Sequence, residues 1–239
     1  MKIAVISDIH ANLEALEICL KKIEELKADK IICLGDLVDY CAQPNECVEL
    51  VKKYSDVTLL GNHDEAQYNY SLVSGFSENA MISSIHTRTV IDPAYIDYFK
   101  LLPYTYSEDN ILFVHSSPYE PEGYHYILTE GRAQLNFSYF EEKICFIGHS
   151  HIPVLFREIG EEVREVEPGN VLESGRYIIN VGSVGQPRDA NPHLSFGFID
   201  TETLEYQNVR VYYPAEVTAH KILREGLPEY LADRIIKGI

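Results

Sequence analysis

Lys30-Ile31-Ile32-Cys33-Leu34-Gly35-Asp36-Leu37-Val38-Asp39 runs from an apolar, strand-like segment directly into a glycine and two carboxylates. The same sequence of events occurs on either side of it. Residues 2–7 read as a buried strand and lead into Asp8-Ile9-His10; residues 56–60 read as a third strand and lead into Gly61-Asn62-His63-Asp64. Between the first two strands, Leu13, Leu16, Leu20, Ile23 and Leu26 recur mostly at spacings of three or four, which predicts an amphipathic helix over 12–27. Pro44 suits the first turn of a second helix, reaching to about Tyr54. Strand, helix, strand, helix, strand implies parallel pairing and an α/β fold. In open α/β sheets ligand sites lie at the carboxyl ends of the strands, where all three polar clusters fall.

Working outward, residues 65–103 break the rhythm and read as an inserted, mostly helical segment that ends at Leu101-Leu102-Pro103. Residues 104–107 and 111–115 predict a hairpin turned by Glu108-Asp109-Asn110, closing on His115. A short helix near 130–140 precedes a strand over 143–147, and Gly148-His149-Ser150-His151 follows. Strands are then expected over 153–159, 163–167, 176–181, 195–200 and 204–212, separated by turns such as Pro168-Gly169-Asn170. Two amphipathic helices, near 214–225 and 228–237, complete the pattern. There is no internal repeat, low-complexity tract or linker, so a single domain over 1–239 is expected.

A chain of 239 residues, 46% of them hydrophobic, can bury about 70–75% of its unfolded surface. No apolar run approaches the ~20 residues of a membrane helix. Met1-Lys2 opens on a short strand rather than a signal peptide, so a cytoplasmic location is expected. The cysteines are odd in number (19, 33, 41, 47 and 145), form no Cys-x-x-Cys pair and read as reduced, buried thiols. With 20 basic against 37 acidic residues the net charge is −17. That surface repels long nucleic acid, whose binding is driven largely by phosphate neutralisation. Small anionic substrates stay compatible, because bound divalent metals reverse the local field.

Helix capping accounts for Asp8, Asn62 or Asp64 taken singly. It does not account for five polar clusters in this order, with histidines completing the set. Imidazole, carboxylate and amide oxygen are the donors that hold borderline divalent metals. Read as extended segments, Asp8 with His10 and His149 with His151 each aim two side chains at one point. A two-metal site that generates a nucleophile from water and stabilises phosphoryl charge is the expected chemistry.

The blocks Asp8-x-His10, Gly35-Asp36-x-x-Asp39, Gly61-Asn62-His63-Asp64, His115 and Gly148-His149-x-His151 resemble those of the calcineurin-like metallophosphoesterase superfamily. The run Asn180-Val181-Gly182-Ser183-Val184-Gly185-Gln186-Pro187-Arg188-Asp189 is similar to its small bacterial and archaeal single-domain branch, proteins described as related to diadenosine tetraphosphatases. The resemblance implies a four-layer α/β/β/α sandwich of two mixed β-sheets flanked by helices. It implies one metal on Asp8, His10, Asp36 and His151, a second on Asp36, Asn62, His115 and His149, and a shared hydroxide attacking phosphorus. Histidine ligands favour Mn, Fe, Zn, Co or Ni over a pure Mg or Ca site, with manganese preferred. His63, oriented by Asp39, would protonate the leaving oxygen or stabilise transition-state charge. Asp39 alone also reads as a solvated loop acid.

Where protein serine/threonine phosphatases of this superfamily carry an arginine, this chain has Tyr40, which speaks against a phosphoprotein substrate. Arg188 offers a guanidinium to a substrate phosphate, against the plainer reading of a surface arginine. Tyr104, Tyr106, Tyr119, Tyr124 and Tyr126 flank His115; in a chain with 17 tyrosines and no tryptophan, packing explains them better than nucleobase stacking, with His86 and His125 beside them. His193 and His220 read as ordinary surface histidines. The expected protein hydrolyses small phosphate esters, diesters or nucleotide polyphosphates foremost. A phosphomonoesterase or phosphoprotein phosphatase, a nuclease and a non-catalytic scaffold are the alternatives.

Overall fold

Alternation along the strands sorts the apolar side chains into three layers. The computed structural model describes residues 1–167, 172 and 174–239; the turn expected at Pro168-Gly169-Asn170 lies outside the described residues. Strand β1 (Lys2–Ile6) sends Ile3 and Val5 to one side and Ala4 and Ile6 to the other. Strands β5 (Ile111–Val114) and β6 (Ile144–Ile147) do the same, with Phe113 and Phe146 inward and Val114 and Ile147 outward. Ile3, Val5, Phe113 and Phe146 therefore meet in one core between two sheets. The two phenylalanine rings stack with centroids 5.6 Å apart, and burying each is worth about 1.5–3 kcal/mol.

The first sheet has the order β11 (Glu205–Val211), β10 (Leu194–Asp200), β1, β2 (Lys30–Cys33), β3 (Val57–Thr58). Its β1–β2 and β2–β3 pairs are parallel, and β10 is antiparallel to both neighbours. The second has the order β4 (Thr105–Glu108), β5, β6, β9 (Arg176–Asn180), β7 (Val154–Ile159), β8 (Glu162–Glu165). Here β5–β6–β9 is parallel and the outer pairs are antiparallel. Helices α1 (Leu13–Leu26), α2 (Pro44–Tyr54), α7 (Ala215–Arg224) and α8 (Glu229–Lys237) cover the outer face of the first sheet through Leu16, Val48, Ile222 and Leu231. Helix α6 (Glu130–Phe137) covers the second sheet through Ala133 and Phe137. Two mixed sheets flanked by helices, the expected architecture, follow from this sorting. Lys30 of β2 ties the sheets together at their rim, its Nζ donating to Glu108 Oε1 of β4 at 2.8 Å.

Two details differ from expectation. Strand β3 is two residues long, because Leu60 N–H turns away to donate to Pro103 O and the chain leaves the sheet early, bringing Gly61 to the site. The hairpin turn is Asp109-Asn110 alone, both left-handed at φ 49° and 63°, and Glu108 pairs with Ile111 inside the ladder. Paired left-handed residues match the twist of flanking strands.

The segment over 65–103 is helical as expected. It includes the end of α3 (Asn62–Glu65), then α4 (Glu78–Val90) and α5 (Pro93–Phe99). All five cysteines are buried and free. Among the described residues no helix is long and apolar enough to cross a membrane.

Candidate active site

Strands β1, β2, β5 and β6 deliver the predicted ligands to a single edge, where the loops are stitched to each other. Asp8 N–H donates to Gly35 O at 3.0 Å and Gly148 N–H to His115 O at 2.8 Å. The expectation that extended pleating aims Asp8 with His10 and His149 with His151 is corrected. Asp8, His10, Asp36, His149 and His151 all have left-handed backbone, with φ from 49° to 63°. Tight turns, not strand pleat, make these side chains converge. Each such residue costs about 1–2 kcal/mol relative to a right-handed one, so the conformation is held by its surroundings.

Two glycines make room for the convergence. A Cβ on Gly61 would collide with the Asp36 carboxylate, and one on Gly148 with Ser7 Oγ and Asp8 Oδ2. Capping accounts for Asp64 in part but not for Asp8 or Asn62: Asn12 caps α1, and Gly61 stands at the N-cap of α3, where Asp64 at N3 closes a capping box. Asp64 also braces two loops. Its carboxylate accepts from Asp36 N–H and Leu37 N–H, both at 2.8 Å, and from Gly61 N–H at 3.3 Å.

The buried side chains form two ligand groups. Asp8, His10, Asp36 and His151 make one; Asp36, His115 and His149 make the other, and in each the candidate ligand atoms lie within 4.8 Å of one another. Asp36 belongs to both. Asn62 lies beside them on α3, and among the described residues its Oδ1 is buried without a hydrogen-bond partner, as are Asp8 Oδ1, His115 Nε2 and His149 Nε2. Buried polar atoms are seldom left unpaired, so four orphans in one cluster fit a cation.

Imidazole orientation supports the same fit. His10 Nδ1 lies 2.9 Å from Val38 O and His151 Nδ1 2.6 Å from Gln186 O, contacts that place the proton on Nδ1. Each Nε2 then presents a lone pair, yet the two Nε2 atoms are 3.0 Å apart. Facing lone pairs repel. Two nitrogens sharing an ion at about 2.0–2.1 Å would be about this far apart as neighbouring ligands.

The charges agree. Burial first, then the charge of His115, lowers the pKa of His149 to about 3; burial first, then the Arg188 guanidinium, lowers that of His151 to about 4. Both rings are thus neutral donors. Asp36 stays ionised despite burial because His115 and His63 oppose that penalty. Burial works against His115, but the adjacent Asp36 carries its pKa up to about 9, so a cation there must displace a proton.

His63 stands beside this cluster on a separate support. Its Nδ1 is 2.7 Å from Asp39 Oδ2, which makes Asp39 a buried partner rather than a solvated loop acid. Burial disfavours the imidazolium, but Asp36 and Asp39 outweigh it and raise the pKa of His63. Residues the motifs did not single out complete the arrangement. Gln67, one helical turn beyond His63, donates from Nε2 to Asp39 Oδ1 and to His63 O, both at 3.0 Å, and to Ser84 Oγ at 3.2 Å. Ser83 accepts from Tyr40 N–H, and Phe76 packs on the His63 ring at 4.5 Å. The helical segment after residue 65 therefore buttresses His63 and Asp39.

The remaining candidates divide. Tyr40 is buried against His10 and His63, with ring centroids 4.6 and 4.7 Å away. Arg188 reaches the cluster through its backbone N–H, which donates to His151 O at 3.3 Å. Tyr126 stacks on His149 at 4.2 Å. Tyr104 and Tyr124 donate to Glu65 Oε2, Tyr106 to Glu108, and Tyr119 stacks on His125, which is packing. His86 lies on α4, His193 packs on Tyr212, and His220 is exposed on α7.

The family model for the calcineurin-like phosphoesterase superfamily domain matches residues 1–204. The chain is 36% identical over 240 residues to MJ0912 of Methanocaldococcus jannaschii, described as an uncharacterized protein, covering 99% of this chain and 98% of that one. Among solved structures it is similar to a metallophosphoesterase from Sphaerobacter thermophilus, with TM-score 0.87 and 35% identity over 100% of this chain and 99% of that one. It also matches the hypothetical protein PH1004 from Pyrococcus horikoshii OT3 at TM-score 0.82, over 100% and 98% of the two chains. Identity there is 20%, so that likeness concerns the fold alone.

Proposed function

This chain belongs to the calcineurin-like phosphoesterase superfamily, and from that premise we propose that it is a two-metal phosphohydrolase of small phosphate esters, diesters or nucleotide polyphosphates foremost. The observation that carries the reading is the meeting of two buried ligand groups at Asp36 with four orphaned donor atoms around them. Asp8, His10, Asp36 and His151 would hold one ion; Asp36, Asn62, His115 and His149 the other. When bound, such ions supply a water of lowered pKa and neutralise charge on the phosphoryl group. The donor set suits manganese best, with Fe, Zn, Co and Ni close behind.

His63 is the proton donor to the leaving oxygen. With Nδ1 engaged by Asp39, its Nε2 is left for substrate, and the carboxylates beside it raise its affinity for a proton above that of a free imidazole. Gln67 holds Asp39 in place and so acts through it. Tyr40, wedged between His10 and His63, fills the place where a phosphoprotein phosphatase would present an arginine, which supports a small substrate over a protein. Arg188 contacts a substrate phosphate, and the enzyme works as a single domain in the cytoplasm.

Hydrolysis of bis-p-nitrophenyl phosphate beside p-nitrophenyl phosphate, with Mn²⁺ and with EDTA, tests the proposal. Turnover that EDTA abolishes and that favours the diester is expected. Preference for the monoester makes it a phosphatase; no turnover on either by protein with two bound ions per chain removes the hydrolase reading.

A further inference from the structure

Gln186 is fully buried, and burying a carboxamide is unfavourable unless its polar atoms are paired. Among the described residues its Nε2 has no hydrogen-bond partner, so an apolar side chain of similar volume would pack there without that penalty. What the glutamine adds is its oxygen. Oε1 accepts from Arg188 Nη2 at 2.9 Å and from Arg188 Nε at 3.3 Å.

The loop beneath this contact is fastened to the ligand turns on both sides. Gly185 N–H donates to Asp8 O at 2.9 Å, and a Cβ on Gly185 would collide with Ile9 O. Ser183 Oγ donates to Asp8 O at 2.8 Å and accepts from Gln186 N–H at 2.7 Å. Gln186 O accepts from His151 Nδ1 at 2.6 Å, and Arg188 N–H donates back to His151 O at 3.3 Å. Pro187, between them, restricts its own backbone and that of Gln186. The main chain of Gln186 is thus registered on Asp8 and His151, two members of one ligand group. Its side chain carries that register to a guanidinium.

The direction of the contact decides what the guanidinium can still do. Of its five N–H groups, Nε–H and one N–H of Nη2 form the side edge, and Oε1 takes that edge. The end edge, made by Nη1 and the other N–H of Nη2, is left over. Among the described residues no acceptor is paired with it, and the remaining side-chain contact is the Tyr40 ring, 5.7 Å from the guanidinium carbon. That ring also meets the His10 and His63 rings, at 4.6 and 4.7 Å. An end-on guanidinium fork matches two oxygens of a phosphoryl group. A neutral amide fixes the fork without cancelling its charge, as a carboxylate in the same place would.

We propose that Gln186 is a positioning residue for substrate: it holds Arg188 by the side edge, so that the end edge is presented to phosphoryl oxygens at a fixed offset from His151. This rests on the reading of the centre as a phosphohydrolase with Arg188 as a phosphate contact. It assigns the Gln186 side chain to substrate affinity rather than to metal retention or proton transfer.

The test is calorimetric titration of methylphosphonate, which is not hydrolysed, at one fixed free Mn²⁺ concentration, with ions per chain counted by plasma emission spectrometry. Gln186→Met is expected to weaken binding roughly tenfold, and Arg188→Met at least as much, as the loss of a charge-assisted bidentate contact would; both should keep two ions. In the Arg188→Met background, Gln186→Met is expected to weaken binding no further, because the glutamine acts through the arginine. Unchanged affinity in Gln186→Met, equal weakening in both backgrounds, or loss of an ion overturns the proposal. Should Gln186→Met fail to fold, Gln186→Leu, which also keeps the main-chain oxygen for His151, carries the same cycle. On bis-p-nitrophenyl phosphate, Gln186→Met should raise KM by more than it lowers kcat. Turnover by the unaltered protein separates the two ideas. Turnover with additive losses removes the positioning role alone; a coupled cycle without turnover removes the hydrolase reading and leaves a phosphate-binding site.

Discussion

The ligand cluster and the His63 support sit side by side but are built in opposite ways. Asp8, His10, Asp36, His149 and His151 hang from strand ends on left-handed turns, and among the described residues four donor atoms of the candidate ligand set have no hydrogen-bond partner. His63 and Asp39 are enclosed by helices, and both oxygens of Asp39 are engaged. A region short of partners is completed by what binds it. A region rich in partners works by holding an orientation. The first should therefore fail by losing metal, the second by losing rate with the metal still in place.

The largest effect that would break this comparison is at Asp36, the residue common to both ligand groups. Asp36→Ala is expected to release both ions and lower turnover roughly 10³-fold or more, with metal content read by plasma emission spectrometry. Retention of two ions would mean the groups do not depend on a shared carboxylate. Next, His63→Ala should keep both ions and lose roughly 10²- to 10⁴-fold in kcat; loss of metal alongside rate would merge the two regions into one. A smaller effect sharpens the contrast. Gln67→Met leaves Asp39 Oδ1 without its donor, and roughly a tenfold fall in kcat at unchanged metal content is expected, from about 1–3 kcal/mol for a buried acceptor left unpaired.

The smallest lies far from both regions. Burial raises the pKa of Glu108, but hydrogen bonds from Lys30 and Tyr106 more than reverse this, so its folded pKa lies below the ordinary 4.5. Its contribution is present above that ordinary value and disappears as pH falls through the lowered one. Glu108→Gln should therefore lower unfolding stability by about 1 kcal/mol or less at neutral pH and by less at about pH 3, as urea midpoints would record. An equal deficit at both values would mean that shape, not charge, joins the sheets there.

Much of the first region was legible because each polar cluster follows an apolar run. The strand ends, the parallel pairing of β1, β2 and β3, and the polar residues that gather at their ends all carry that signature. The backbone that aims them does not, since non-glycine residues at positive φ are chosen by tertiary contacts rather than by local preference. The second region was harder to read for a different reason. Helix α4 buries Ala80, Ser83, Ser84 and Thr87 and turns Met81, Ile82 and Ile85 outward. Apolar periodicity therefore points to the wrong face. The inward serines hold Tyr40 and Gln67, and no motif names Gln67. The available hint was the spacing of Gln67 four residues after His63, just past the end of α3.

The left-handed backbone at Asp8, His10, Asp36, His149 and His151 has an evolutionary consequence. Glycine adopts that conformation freely, so at each of these positions it would remove strain while abolishing a donor atom. Selection for a sturdier fold and selection for chemistry thus pull in opposite directions at the same five codons. A descendant that no longer turned over substrate would gain stability by drifting there first, and it would keep its sandwich while its catalytic history faded.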